Sequence, residues 1–218
     1  THAVTVDGLY MHPTAGYAME LTFHNVIVRN CYFLGGKFAS IFQTAGPTHG
    51  PASTNWQIYK NVFVNPYTPG GQAGAIRSTN WGFANMFVYN NTFHWLSTSS
   101  GVSCMVTFNG KNSSNIQFKN NLVWDETNAA VMTLNSGGAV SGSTFSYNQL
   151  WGLTQGGLSG VTYSNNLTTD PLLDLTLPKP DPYYRITTGS PADQSGTNVS
   201  LPFTGTAPSR GAYEIDPN

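Results

Sequence analysis

A nine-residue pattern recurs at a fixed spacing of thirty residues. It reads Asn25-Val26-Ile27-Val28-Arg29-Asn30-Cys31-Tyr32-Phe33, and returns as Asn55–Phe63, Asn85–Phe93 and Asn115–Val123. Four copies without slippage mean one structural unit used repeatedly, and such a unit buries its apolar face only by stacking on its neighbours. Within each copy the residues alternate. Val26 and Val28 face one way, Ile27 and Arg29 the other; Trp56/Ile58 alternate with Gln57/Tyr59, Met86/Val88 with Phe87/Tyr89, and Ile116/Phe118 with Gln117/Lys119. Period two is the period of a strand. A bend containing Asn follows, then a second short strand with Phe33, Phe63, Phe93 or Val123 inward. A third strand lies between copies, at 17–21, 41–44, 75–78, 105–109 and 131–135, joined by loops rich in Gly, Ser, Asn and Pro. Three short strands and three bends per turn predict an all-β chain: a single-stranded, right-handed parallel β-helix with turns about 4.8 Å apart.

The asparagines fall in columns. Asn61, Asn91 and Asn121 align with Cys31 and with Asn148 and Asn166; Asn30, Lys60, Asn90 and Asn120 form a second column, and Asn25, Asn55, Asn85 and Asn115 a third. Asn tolerates left-handed backbone and bonds its own bend, and amides stacked in register bond one another. The columns are therefore expected to hold the turns in register rather than to bind a ligand.

Residues 1–11 match the tail of an earlier copy, with Val4, Val6 and Met11 at the positions of Val26, Val28 and Phe33. A solenoid end ordinarily carries a polar cap, and none is legible at Thr1. That predicts either further sequence upstream or head-to-tail self-association. Shorter turns follow at 145–150 and 161–167, so the β-helix is expected over 1–169. From Asp170 the chain turns polar and Pro-rich, and 170–218 reads as a C-terminal wrap over the last turn. The segments Asp170-Pro171-Leu172-Leu173, Tyr184-Arg185-Ile186, Gly189-Ser190-Pro191-Ala192-Asp193 and Arg210-Gly211-Ala212-Tyr213-Glu214 resemble the closing segment of pectate-lyase-like right-handed β-helix proteins. Many of those are secreted or surface proteins of bacteria. The resemblance implies an extracellular or cell-surface location and a polysaccharide as partner. It leaves activity open, because that superfamily holds lyases, hydrolases, epimerases, tailspikes and adhesins, and fold alone does not give function.

Composition narrows the classes. Charged residues are 9 % of the chain and the formal net charge is −1, against about 25 % charged in an average soluble protein. That is no footprint for nucleic acid. No apolar run approaches the roughly 20 residues of a membrane helix. Cys31 and Cys104 lie in different strands and read as buried free thiols.

Three features could carry chemistry. The outward column of the third strand is expected to be Glu20, Gln43, Arg77, Thr107 and Thr133. Glu20 and Arg77 would then stand two turns, about 10 Å, apart. β-Elimination on a uronate needs a cation for the carboxylate and a base for the C5 proton. Arg77 suits the first role, by its two-pronged fork. Glu20 shares its column, and Lys37, His49, His94 and Lys111 are loop candidates for the base. The alternative is a solvated polar stripe. Second, Trp95, Trp124 and Trp151 recur near one place in successive turns; exposed they could stack on sugar rings, buried they are satellite core. Third, Asp125 and Glu126 are adjacent on a strand and so face opposite ways, a poor pair for glycoside hydrolysis. Asp125 with loop carbonyls is a candidate calcium ligand. The expected function is a lyase-like, polysaccharide-binding or polysaccharide-degrading protein, with Arg77, Glu20 and His94 as catalytic candidates and Gln43, Thr107, Trp95, Trp124 and Asp125 as substrate contacts. The alternative is a non-catalytic adhesin or filament-forming solenoid.

Overall fold

The computed structural model describes residues 4–12, 16–22, 24–35, 39–43, 52–64, 75–78, 82–95, 106–108, 112–126, 131–132, 134–136, 138–155, 157–174, 176 and 184–215. Among these residues there is no helix. The chain visits three long parallel sheets in rotation, which makes it a parallel β-solenoid. The first sheet has eight strands and contains Val26–Arg29, Ala52–Tyr59, Gly82–Tyr89 and Ser113–Lys119. The second has six, including Tyr32–Leu34, Val62–Val64, Thr92–Trp95 and Leu122–Asp125. The third has five: Tyr17–Leu21, Ala39–Gln43, Ile76–Ser78, Val106–Phe108 and Leu134–Ser136. Over the central turns of the first two sheets the register follows the thirty-residue period, pairing Val28 with Ile58, Ile58 with Val88, and Val88 with Phe118.

The inward residues of each strand meet in the middle. Val28, Ile58, Val88, Phe118 and Phe145 from the first sheet join Ile41, Ile76 and Val106 from the third in one continuous core. Phe33, Phe63 and Phe93 stack turn on turn, with ring centroids 4.9 and 4.8 Å apart and nearly parallel planes. Offset stacking at this distance adds to the area that each ring removes from water.

The asparagine columns divide the work along the first sheet and at its bend into the second. Asn25 precedes, and Asn55, Asn85 and Asn115 lie within, the first-sheet strands with φ between 51° and 59°, and Asn30, Asn90 and Asn120 follow those strands with φ between 51° and 57°. Left-handed backbone is what Asn accepts at low cost. The column Asn61, Asn91, Asn121, Asn148 is buried and bonds across turns instead. From Asn91 onward each Oδ1 accepts the backbone N–H and the side-chain Nδ2–H of the asparagine one turn before, at 3.0 and 3.0 Å for Asn91, and each Nδ2 donates to a carbonyl of the preceding turn, Asn91 to Ile58 at 2.9 Å and Asn148 to Phe118 at 3.2 Å. Cys31 ends this ladder. Its backbone N–H donates to Asn61 Oδ1, but its thiol lies 3.9 Å from the Val6 carbonyl, the place corresponding to the Asn61–Val28 bond. Burial raises the thiol pKa and keeps it protonated. Cys31→Asn is expected to extend the ladder by one rung and stabilise the chain by about 1 kcal/mol, the net worth of a buried hydrogen bond. A thermal melt reads this directly: an unchanged or lower Tm would mean the first rung has no room for an amide. Cys104 lies outside the described residues.

The C-terminal segment, expected over the last turn, runs back along the flank of the solenoid. Asn120 Nδ2 donates to the Thr197 carbonyl at 2.7 Å, Asn90 Nδ2 to the Ser209 carbonyl at 2.8 Å, and Lys60 Nζ to the Pro202 carbonyl at 3.2 Å. The bend asparagines thus serve twice, setting the turn and anchoring the wrap. Gly211 passes close at φ 107°, and a Cβ there would lie 3.1 Å from Thr92 Oγ1 and 3.2 Å from Leu122 Cβ. Only glycine fits both that backbone and that approach. Arg210 beside it is buried, and its guanidinium donates to the Asn148 carbonyl and, twice, to the Ser195 carbonyl. Burial lowers its pKa to about 10.

Candidate functional site

The third sheet brings only part of the expected column together. Arg77 pairs with Phe42 on one side and Thr107 on the other, and Glu20 pairs with Phe42. The column therefore runs Glu20, Phe42, Arg77, Thr107, Asn135. Gln43 lies one residue along from that column in backbone register, paired with Leu21 and Ser78. Ile76 and Ser78 on either side of Arg77 are fully buried, and Ile76 belongs to the core, so Arg77 points to the outer face. It is nonetheless only 7 % exposed there, while Glu20 is exposed. Thr133, Lys37, His49 and Lys111 lie outside the described residues.

The second sheet places His94 and the tryptophans differently from the expected shelf. His94 pairs with Trp124, and Trp124 with Trp151, whereas Trp95 pairs with Asp125. His94, Trp124 and Trp151 thus form one outward stack, with centroid separations of 3.9 and 5.1 Å. Trp95 turns inward against Phe93. The stack is covered by the wrap: Ile186, Ala192, Leu173 and Ile215 pack on Trp124 and Trp151. Sequence spacing contained this answer, because Trp124 stands thirty residues after His94 and not after Trp95.

His94 itself is 1 % exposed, and both ring nitrogens are engaged. Nε2 lies 3.0 Å from Glu126 Oε1 and Nδ1 lies 2.8 Å from the Tyr184 hydroxyl. An ionised carboxylate only accepts, so Nε2 carries the proton; in the neutral ring Nδ1 then accepts the Tyr184 O–H. This Glu126–His94–Tyr184 chain ties the wrap to the solenoid. It gives His94 no nitrogen with which to take a proton from a substrate held at Arg77, and it stands on another sheet. Asp125 is buried beside Trp95 in register, and among the described residues no three His, Cys, Asp or Glu side chains are placed to hold a metal ion.

The first sheet presents a feature that composition did not single out. Its outward residues Gln57 and Tyr59 pair with Phe87 and Tyr89 on the next turn. Together with Val199, Ser200 and Leu201 of the wrap they line a cleft of about 290 Å³. Phe87 and Tyr89 sit 5.9 Å apart, tilted by 42°. The Tyr89 hydroxyl donates to Gln117 Oε1 at 2.8 Å, and burial pushes its pKa up to about 12. At one end Arg29 is neutralised by Asp7 at 2.8 Å and donates to the Tyr59 hydroxyl at 3.1 Å. The Asp7 carboxyl is held below its ordinary pKa by the Asn30 amide and by Arg29.

No helix of the described residues is long and apolar enough to cross a membrane. Comparison of the chain with protein-family models, with curated proteins and with solved structures returns no match.

Proposed function

We propose that the protein is an extracellular polysaccharide-binding solenoid that holds an acidic polymer along the outer face of its third sheet. The supporting observation is Arg77, a buried guanidinium on an outward position, in register with Thr107 and in one column with the exposed carboxylate of Glu20. A guanidinium partly removed from water binds a carboxylate more strongly than an exposed one, and binds it with two parallel hydrogen bonds. The likeness of the 170–218 segment to secreted β-helix proteins supports the location.

Binding is better supported than elimination. The C5 proton of a uronate is adjacent to its carboxyl group, so the base must come within hydrogen-bond reach of what Arg77 holds. Glu20 starts two strand spacings away, about 10 Å, and His94 is committed to Glu126 and Tyr184. Affinity electrophoresis through gels containing polygalacturonate or alginate tests the reading. Wild-type protein should be retarded, retardation should weaken with added salt, and Arg77→Ala should weaken binding at least about tenfold. Equal mobility of wild type and Arg77→Ala in every acidic gel would sink the proposal. Appearance of the unsaturated product's ultraviolet absorbance would add elimination to it.

A further inference from the structure

We propose a second ligand site, independent of the third-sheet face: the cleft on the first sheet takes a single neutral sugar ring. Its floor is made by Gln57, Tyr59, Phe87 and Tyr89, its wall by the wrap residues Val199 to Leu201. At about 290 Å³ it stands at the small end of ligand pockets, the scale of one ring rather than a chain segment, and it opens to solvent beside the exposed Gln57 and Ser200.

The chemistry of the lining selects the ligand. Among the described residues no charged side chain lines the cleft, and the cations nearby are engaged, Arg29 with Asp7 and Tyr59, and Lys60 with the Pro202 carbonyl. A uronate would leave water and meet no counter-charge, which is costly. A wholly apolar ligand would strip water from the Gln57 amide and the Ser200 hydroxyl without replacing its hydrogen bonds. A pyranose answers both demands. Its C–H face covers an aromatic ring, here Phe87, while its hydroxyl edge meets the amide and the hydroxyl.

A second observation points to the same place. Lys60 and Ser200 hold left-handed backbone, with φ of 54° and 64°. Lys60 interrupts a column that is Asn at 30, 90 and 120, and a long side chain is disfavoured in that conformation. The ammonium of Lys60 reaches the wrap at Pro202, next to the wall residue Leu201. Strained residues of this kind collect at ligand clamps. Lys60 is thus a positioning residue, trading an easier bend for a fixed wall.

Saturation-transfer NMR and calorimetry with glucose, galactose, mannose, xylose and N-acetylglucosamine, each also as a disaccharide, test the site. At least one should bind saturably. Phe87→Ala should weaken it at least about tenfold. Gln57→Ala, an exposed change that leaves the fold intact, should weaken it several-fold, and Lys60→Asn should weaken it while the Tm holds or rises. Polygalacturonate retardation through Arg77 should be unaffected by Phe87→Ala and Gln57→Ala. Absence of saturation transfer from every neutral sugar overturns the proposal. So does a sugar that binds Phe87→Ala and Gln57→Ala as tightly as wild type, or one whose binding disappears in Arg77→Ala instead.

Discussion

Asn91→Ala should lower the stability of the protein by about 4 kcal/mol, since each buried polar group left unpaired costs about 1–3 kcal/mol. Asn91 sits mid-ladder and is fully buried. Its Oδ1 satisfies the backbone N–H and the amide of Asn61, and its Nδ2 is shared among the carbonyls of Ile58 and Tyr89 and Oδ1 of Asn121. Alanine leaves Asn61 with two donors and Ile58 with an acceptor in a place water does not reach. For a chain of this size such a loss corresponds to a Tm lower by about 10 °C. The matched control is Asn55→Ala. Asn55 has left-handed backbone and an exposed amide, bonded to Asn25 at 2.9 Å and Asn85 at 3.3 Å. Water replaces those partners, so the cost is mainly the left-handed alanine, about 1 kcal/mol. Melting curves of the two variants separate the buried ladder from the exposed one. Equal losses would mean that amide burial is not what makes the ladder strong.

The second large effect is expected at Arg210. Arg210→Met keeps the volume but removes three hydrogen bonds to the Ser195 and Asn148 carbonyls. Bonds from a charged donor are worth about 1.5–3 kcal/mol each, but Arg210 is buried, so its guanidinium is desolvated. Methionine is free of that desolvation, so the net loss should be near 3 kcal/mol. It should be local. The wrap is held to the solenoid at Arg210, at Gly211 to Asn120, at Ala212 to Thr92 and through the His94–Tyr184 bond. Loosening one end exposes the segment, so limited proteolysis should cut Arg210→Met within 184–215 well before wild type. A cleavage pattern identical to wild type would show that the wrap is held without this guanidinium.

The parts of the molecule that follow the thirty-residue period were legible from residue spacing. Alternation located the strands of the first two sheets, because one face is core and a register slip would expose it. The Asn columns were legible because left-handed bends and stacked amides both want that residue. The third sheet was less so. Its strands are separated by loops of unequal length, so Ile41 pairs with Ile76 rather than with a residue thirty along. In Ala39–Gln43 the adjacent Ile41 and Phe42 are both apolar, which hides the alternation that would have shown Phe42, and not Gln43, in register with Arg77. Trp95 shows the same one-residue sensitivity on the second sheet. The burial of His94 and Trp124 was not legible, since the groups that cover them, Tyr184 on His94 and Ile186 on Trp124, lie far along the chain in the C-terminal segment. The first-sheet cleft was missed for a related reason: its floor reads as ordinary cross-strand pairing, and its wall belongs to the wrap.

Together these features separate stability from the proposed recognition: buried amides hold the turns, and Arg77 on the outer face of the third sheet is the proposed ligand contact. The most direct measurement is a polygalacturonate binding isotherm for wild type, Asn91→Ala and Arg77→Ala, each at a temperature where it remains folded. Asn91→Ala should bind as wild type does despite its lower Tm, and Arg77→Ala should bind at least about tenfold more weakly. If Arg77→Ala binds like wild type, or if none of the three binds the polymer, the third-sheet face is not the recognition surface and the account is contradicted.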